Sequence, residues 1–404
     1  MISIQQAKKL IAENRLARVK EQVPILKVNG KVLAEPVIAP FDSPQFDNSA
    51  MDGVAVQWED VKEVKSEKSV ILELVGESSA GKPWAGILKP GQAVCINTGA
   101  VVPDGADTVI PQEQCNFEDT NVRIEQVKEL GAHIRRQGEE YRKGDQLLAE
   151  NTPLNPAITG VLGSIGMDSV PVFRMPEVTL MVTGTELVAA RSGTKLEAGQ
   201  IYDSNYPMLY HYLKMAGIDE IKTTHVKDKR MDVLQAIQQA QKTSDIIIST
   251  GGVSVGPHDH IPDAAQEAGF SPLFHHVAQK PGKPFYFAMS KESNTLYFGL
   301  PGNPVSAFMT FTWYVYPELC YYLGKDFTFR KQKSALTQAI NNPQSRTIFL
   351  RMKGVKNENT ILVEPVKQQG SHLIHALSVA NGFIIIPPST KWDVGQEVLF
   401  YYFP

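Results

Sequence analysis

No apolar run in this 404-residue chain is long enough to span a bilayer. Cysteine is scarce: Cys95, Cys115 and Cys320 make an odd count with no metal-ligand spacing. That excludes a cysteine-built metal centre and points to a reduced, cytoplasmic compartment. Charge of either sign is not in excess, since the formal net charge is −3. Nothing global therefore calls for nucleic acid or an anionic membrane. Short-period repeats and low-complexity tracts are missing as well. The first residues hold no apolar core behind a basic start, so they are expected to form a helix and not a signal peptide.

What the chain does have is length, enough for two to four domains. Ser3-Ile4-Gln5-Gln6 is a capping-box pattern and predicts a helix to about Leu16. Short strand-like runs such as Val32-Leu33-Ala34 follow. From about 46 to 144 the pattern is β-rich, with Val70–Val75, Gln92–Ile96 and Thr108–Ile110 as strands bounded by turn residues. A helix from Asn155 to about Gly166 separates this region from the next. Between about 176 and 327, strands and helices alternate, which predicts a parallel sheet covered on both faces. Asn303 to Leu323 reads as one long apolar helix. From 328 to 404 the chain returns to β runs such as Phe349–Met352 and Gly382–Ile386, as in a small β-barrel or sandwich.

The most informative segment is Gly251-Gly252-Val253-Ser254-Val255-Gly256-Pro257-His258-Asp259, directly after the apolar run Ile246–Thr250. Strand, glycine turn, then helix exposes backbone N–H groups to an anion. A plain tight turn is the alternative. In parallel sheets ligands sit at the carboxyl ends of strands. Two more loops belong to that edge, Thr183-Gly184-Thr185-Glu186-Leu187 and Leu300-Pro301-Gly302-Asn303-Pro304-Val305-Ser306. Glu186 and Asp259 are candidate Mg²⁺ ligands against a ligand phosphate, because Mg²⁺ takes one or two carboxylates plus phosphate oxygens. Each has a bland reading, Glu186 as a helix-start carboxylate and Asp259 as the N-cap of the next helix. Lys280-Pro281-Gly282-Lys283-Pro284 presents two cations on a stiffened turn, suited to a doubly charged oxyanion or simply exposed. Asn303 and Pro304 fit an N-cap and a first helical position, which puts Ser306 in the first turn. Asp47–Gly53, Asn97–Ala100 and Ile134–Glu140 are polar turns of the β-rich region.

Taken together, these segments resemble the molybdopterin molybdenumtransferases, the MoeA-type enzymes also related to the gephyrin E domain. The match runs in order through Asp47–Gly53, Asn97–Ala100, Arg135–Glu139, Thr183–Leu187, Ile201–Asn205, Gly251–Gly256, Lys280–Pro284 and Leu300–Ser306. The resemblance implies a multidomain α/β plus β protein. A linker or dimerisation domain would comprise 1–45 and 145–175, and a β-rich domain 46–144. A three-layer α/β/α molybdopterin-binding domain would span 176–327, and a β-barrel 328–404. It implies a cytoplasmic homodimer with the cleft shared between subunits. The reaction implied is Mg²⁺-dependent insertion of molybdate into adenylylated molybdopterin, with release of AMP. A molybdopterin adenylyltransferase is a possible partner, and neither nucleic acid nor membrane is involved.

Residue by residue, the resemblance points to Asp52, Glu186, Asp228 and Asp259 as catalytic groups. Thr98, Arg135, Glu140, Gly251, Gly252, Ser254, Pro301, Asn303 and Pro304 would bind substrate, with Asp52, Thr98 and Arg135 reaching the cleft from the partner. Lys280, Lys283, Pro284, Ser306, Arg351 and Ser371 would bind molybdate. Glu140 stands where an Asp is usual, and Val54 and His260 replace usual aromatics. The runner-up activities are molybdopterin adenylyltransferase and a gephyrin-like scaffold. Tungstate is the rival oxyanion.

Overall fold

The structure, a computed structural model, describes residues 1–65, 68–190, 194–254, 256, 259–357 and 360–404. They form two compact units. The first comprises 1–34, 153–156 and 169–404, and the second 35–152 and 157–168. Among the described residues no helix is long and apolar enough to cross a membrane.

The first unit opens with the helix Ile4–Glu13, three residues shorter than expected. Its capping box is formed: Gln6 N–H donates to Ser3 Oγ at 3.1 Å, and Ser3 N–H to Gln6 Oε1 at 2.9 Å. The apolar face Ile4, Ala7 and Ile11 is buried in the same core as the central sheet. That sheet has six strands in the order Ile221–Val226, Val178–Thr183, Ile246–Thr250, Thr295–Leu300, Pro284–Ser290, Ser271–His276. The first four run parallel. Pro284–Ser290 is antiparallel to both its neighbours. The expected all-parallel sheet is thus mixed, because Thr295–Leu300 returns beside Pro284–Ser290 through a tight turn instead of a crossover helix. The pure helix–strand alternation holds only as far as Glu267. Isolated bridges alone occur at Val32 and Leu33, so no strand forms where Val32–Ala34 predicts one.

The apolar segment after Asn303 is helical from Pro304 to Tyr322, but Phe311–Val315 is a π-helical turn between two α-helical pieces. Pro317 explains it. Proline has no N–H to give to the carbonyl of Trp313 and its ring crowds that position. The wider turn lets two consecutive large aromatics be buried, Trp313 and Tyr314. Trp313 packs on Phe329, Phe349, Phe383 and Tyr401. These belong to a C-terminal barrel that closes through Thr347–Asn357, Thr360–Pro365, Lys331–Leu336, Glu397–Tyr402 and Gly382–Ile386. Barrel and α/β sheet therefore share one aromatic core. A sixth, two-residue strand, Gln279–Lys280, joins the barrel parallel to Thr347–Ile348.

The second unit is built on a β-rich sheet in the order Thr108–Pro111, Gly53–Val56, Gln92–Ile96, Val70–Ser78, Asn121–Ile124, Cys115–Phe117. Val54, Val56, Leu72, Ala93, Ile110 and Val122 form its core. Gly53–Val56 and Thr108–Pro111 are buried at every position, because the residues between these, Ala55 and Val109, enter a second cluster with Ile96 and Ala100.

Candidate functional site

The register levels three strand ends: Val182 lies opposite Thr250, and Thr250 opposite Leu300. Their loops leave one edge of the sheet, where the strand order reverses beside Val178–Thr183. Gly251 takes φ +86°, and a Cβ there would lie 2.5 Å from the Thr183 carbonyl oxygen. Only glycine allows the turn to press so closely on its neighbour. A Cβ on Gly302 would come within 3.5 Å of Gly251 Cα, so the second and third loops touch. Val255, Pro257 and His258 of the glycine turn lie outside the described residues.

These loops and the barrel enclose an open cavity of about 1120 Å³. Glu186, Asp228, Asp259, Gly251, Gly252, Ser254, Pro301, Asn303, Pro304, Ser306, Lys280, Lys283, Pro284 and Ser371 all line it. Its acids come from the loops after the parallel strands. Its cations come from the 280–284 turn and from Arg346 at the barrel rim. Asp228 Oδ2 accepts from Thr185 N–H at 3.0 Å, and Asp228 N–H donates to Thr185 Oγ1 at 3.2 Å. That pair braces the loop that presents Glu186. Asp259 is not the expected N-cap. The helix Ile261–Glu267 begins after His260, and Asp259 Oδ2 instead accepts from Gly256 N–H at 2.7 Å, closing the glycine turn. Asn303 occupies the N-cap position without a capping bond; its amide donates to Ser371 Oγ at 3.1 Å.

Arg351 departs from expectation. It does not line the cavity and is wholly buried. Its Nη2 donates to the carbonyls of Gln368 at 2.9 Å and Gly370 at 3.2 Å. Nε and Nη1 have no hydrogen-bond partner, and burial pulls the guanidinium pKa down to about 10. Arg351 thus shapes the loop that carries Ser371 from behind the wall. The arginine that lines the cavity is Arg346, whose carbonyl is held by the buried Asn342 amide at 3.0 Å.

Asp52, Thr98, Arg135 and Glu140 belong to the second unit. Asp52 Oδ1 accepts from Thr98 N–H at 2.6 Å and from Thr98 Oγ1 at 3.0 Å. The Thr98 N–H, first among several donors, holds the Asp52 carboxyl below its ordinary pKa. The strand Ile134–Arg135 pairs with Asn48–Ser49, so Arg135 shares a segment with this carboxylate's loop. Glu140 reaches Ser43, whose hydroxyl donates to Oε2 at 2.8 Å. The longer Glu is accommodated by that contact.

Sequence reasoning gave no role to Asp203, which is buried at the cavity wall. Its Oδ1 accepts from Asn205 N–H at 2.9 Å and Tyr206 N–H at 3.1 Å. Its Oδ2 lies 3.2 Å from His225 Nε2. The signal available was an Asp just ahead of a helix. Arg346 carries no such signal.

Mg²⁺ would have Glu186 and Asp259 as its carboxylates here. Among the described residues no three His, Cys, Asp or Glu side chains converge. Two carboxylates in a ligand-sized cavity suit a cation that completes its shell with phosphate and water.

Three family models cover the chain: the MoeA N-terminal region (domains I and II) at residues 2–166, a probable molybdopterin binding domain at 179–320, and the MoeA C-terminal region (domain IV) at 333–403. A protein of Haemophilus influenzae named molybdopterin molybdenumtransferase is 34% identical over 96% of this chain and 94% of its own length. The chain belongs to the molybdopterin molybdenumtransferase family. A Nostoc member is 40% identical over 74% of this chain and 68% of its own. The crystal structure of a molybdopterin biosynthesis MoeA protein from Pyrococcus horikosii superposes with a TM-score of 0.85 at 29% identity, covering 100% of this chain and 99% of that one. Family membership makes the chain a transferase of molybdenum cofactor biosynthesis. The expected α/β molybdopterin-binding domain, β-rich domain and C-terminal barrel are those of the family.

Proposed function

We propose that the cavity inserts molybdate into adenylylated molybdopterin and releases AMP. The observation that carries this reading is that the cavity's acids follow the adjacent strands Ile221–Val226, Val178–Thr183 and Ile246–Thr250, whereas its lysines precede Pro284–Ser290 beyond Thr295–Leu300, which gives an acidic end and a cationic end. A ligand with a pyrophosphate bridge suits the first end once a divalent cation is present, and a tetrahedral dianion suits the second. Lys280, Lys283 and Arg346 hold the oxyanion beside the dithiolene sulfurs. Glu186 and Asp259 would hold Mg²⁺, which would supply neutralisation of charge on the leaving phosphate. Asp228 steadies the Glu186 loop, and the glycine turn offers backbone N–H groups to the phosphates. In a homodimer, Asp52, Thr98 and Arg135 face this cavity from the partner subunit.

The test is anaerobic turnover of purified adenylylated molybdopterin with Mg²⁺ and molybdate, following AMP and reconstitution of an apo-molybdoenzyme. Molybdate-dependent AMP release with active cofactor supports the reading. Consumption of ATP and unmodified molybdopterin would replace it with adenylyl transfer, and binding without turnover with a scaffold role.

A further inference from the structure

Beneath the two-lysine turn lies a buried polar bracket. Gln279 directly precedes Lys280 and is wholly buried. Its Oε1 accepts from Tyr314 OH at 2.5 Å, and its Nε2 donates to the Pro281 carbonyl at 3.2 Å. Burial raises the Tyr314 phenol far above its ordinary pKa, so it remains a donor. The phenol fixes which end of the Gln279 amide faces Pro281. Tyr314 itself is delivered by the π-helical turn. The turn is also clamped at its far end, where Val277 N–H donates to the Lys283 carbonyl at 3.0 Å. Gly282, at φ +86°, packs directly on the bracket, and a Cβ there would sit 2.8 Å from Gln279 Nε2.

Lys280 and Lys283 are exposed, while Pro281 and Gly282 between them are buried. Long exposed lysine stems have no fixed geometry of their own. Their spacing is set by the backbone that carries them, and that backbone rests on Gln279.

We infer that Gln279, held by Tyr314, is a positioning residue that sets the spacing of Lys280 and Lys283 for a tetrahedral dianion. The inference rests on the oxyanion reading of this cavity. Removing the bracket leaves the turn free to relax and weakens oxyanion capture without touching the phosphate-transfer end.

The experiment measures KM for molybdate and kcat in Gln279→Met, Tyr314→Phe and the double variant of the full chain, beside Lys280→Gln. Equilibrium dialysis of molybdate against each protein runs in parallel. Gln279→Met should raise KM and the molybdate Kd roughly tenfold, with kcat nearly unchanged, since an unpaired buried polar group costs on the order of one such factor. Tyr314→Phe, which removes only a hydroxyl, should shift both in the same direction by less. The double variant should be no worse than Gln279→Met, because the two act in one chain. A fall in kcat at constant KM, or additive effects, would overturn the positioning role. If Lys280→Gln loses molybdate while Gln279→Met keeps it, the bracket alone fails. If the unaltered protein neither binds nor uses molybdate, the oxyanion reading falls and the bracket with it.

Discussion

Thr185 and Asp228 exchange two hydrogen bonds, backbone to side chain in each direction, at 3.0 and 3.2 Å. The exchange joins the loops after two adjacent parallel strands and leaves Glu186 at the tip of a braced turn. Asp228→Asn keeps an acceptor for the Thr185 N–H, so the brace should survive and the melting temperature should change little. Turnover should fall by roughly 10² or more if the Asp228 charge serves the cavity. Thermal unfolding and kcat measured on the same preparation separate the two effects.

Glu186→Gln should fold normally and stop AMP release. Raising Mg²⁺ should restore little, because a neutral amide is a poor ligand for a hard cation. Normal turnover in this variant would remove Glu186 from the reaction.

Arg346→Gln should weaken molybdate by roughly tenfold, in line with loss of one charge-assisted contact, and leave stability within about 0.5 kcal/mol, as for a substitution away from the core. Arg351→Gln should do the reverse first. It strips the buried fork from the carbonyls of Gln368 and Gly370 and should destabilise the chain by about 1–3 kcal/mol. Chemical denaturation and molybdate dialysis on the pair tell wall from support.

His276 offers a pH signature. Burial, then His275, Lys283 and the chain's amino terminus, push its pKa below the ordinary 6.5. The unfolded chain therefore binds that proton more readily than the folded one. Stability should fall as pH drops below about 6.5 and level off once the folded-state pKa is passed. His276→Asn should flatten this acid limb, as read by urea midpoints between neutral and acid pH.

Mixing inactive Asp52→Ala with inactive Glu186→Ala protein, after subunit exchange, should restore part of the activity if the cleft is shared between subunits. No recovery from subunits shown to have exchanged would put both residues in one chain's site.

Much of this was legible without coordinates, and for identifiable reasons. The Ser3–Gln6 box and the level ends of Val178–Thr183, Ile246–Thr250 and Thr295–Leu300 follow from local patterns: caps, apolar runs and glycine turns. The antiparallel edge was hidden because Ser271–His276 and Pro284–Ser290 carry Pro272 and Pro284, which read as breakers although each sits near the start of its strand. Arg346 and Arg351 are indistinguishable as letters, and only packing decides that one faces the cavity while the other is buried. Asp259 had two local uses open to it, and closing onto Gly256 won over capping the next helix. The π-turn depended on Pro317, whose effect falls on a carbonyl one turn earlier.

The short strand Gln279–Lys280 is hydrogen-bonded into the barrel through Thr347–Ile348, while the chain resumes at Pro284 in the α/β sheet. Barrel opening and anion capture are therefore linked equilibria. Any dianion held by Lys280 must slow amide exchange along Thr347–Asn357 by the same free energy that barrel fraying subtracts from its binding. The C-terminal barrel is in this sense a latch on the anion, and truncating it should empty the pocket and also open the aromatic core that it shares with the α/β sheet.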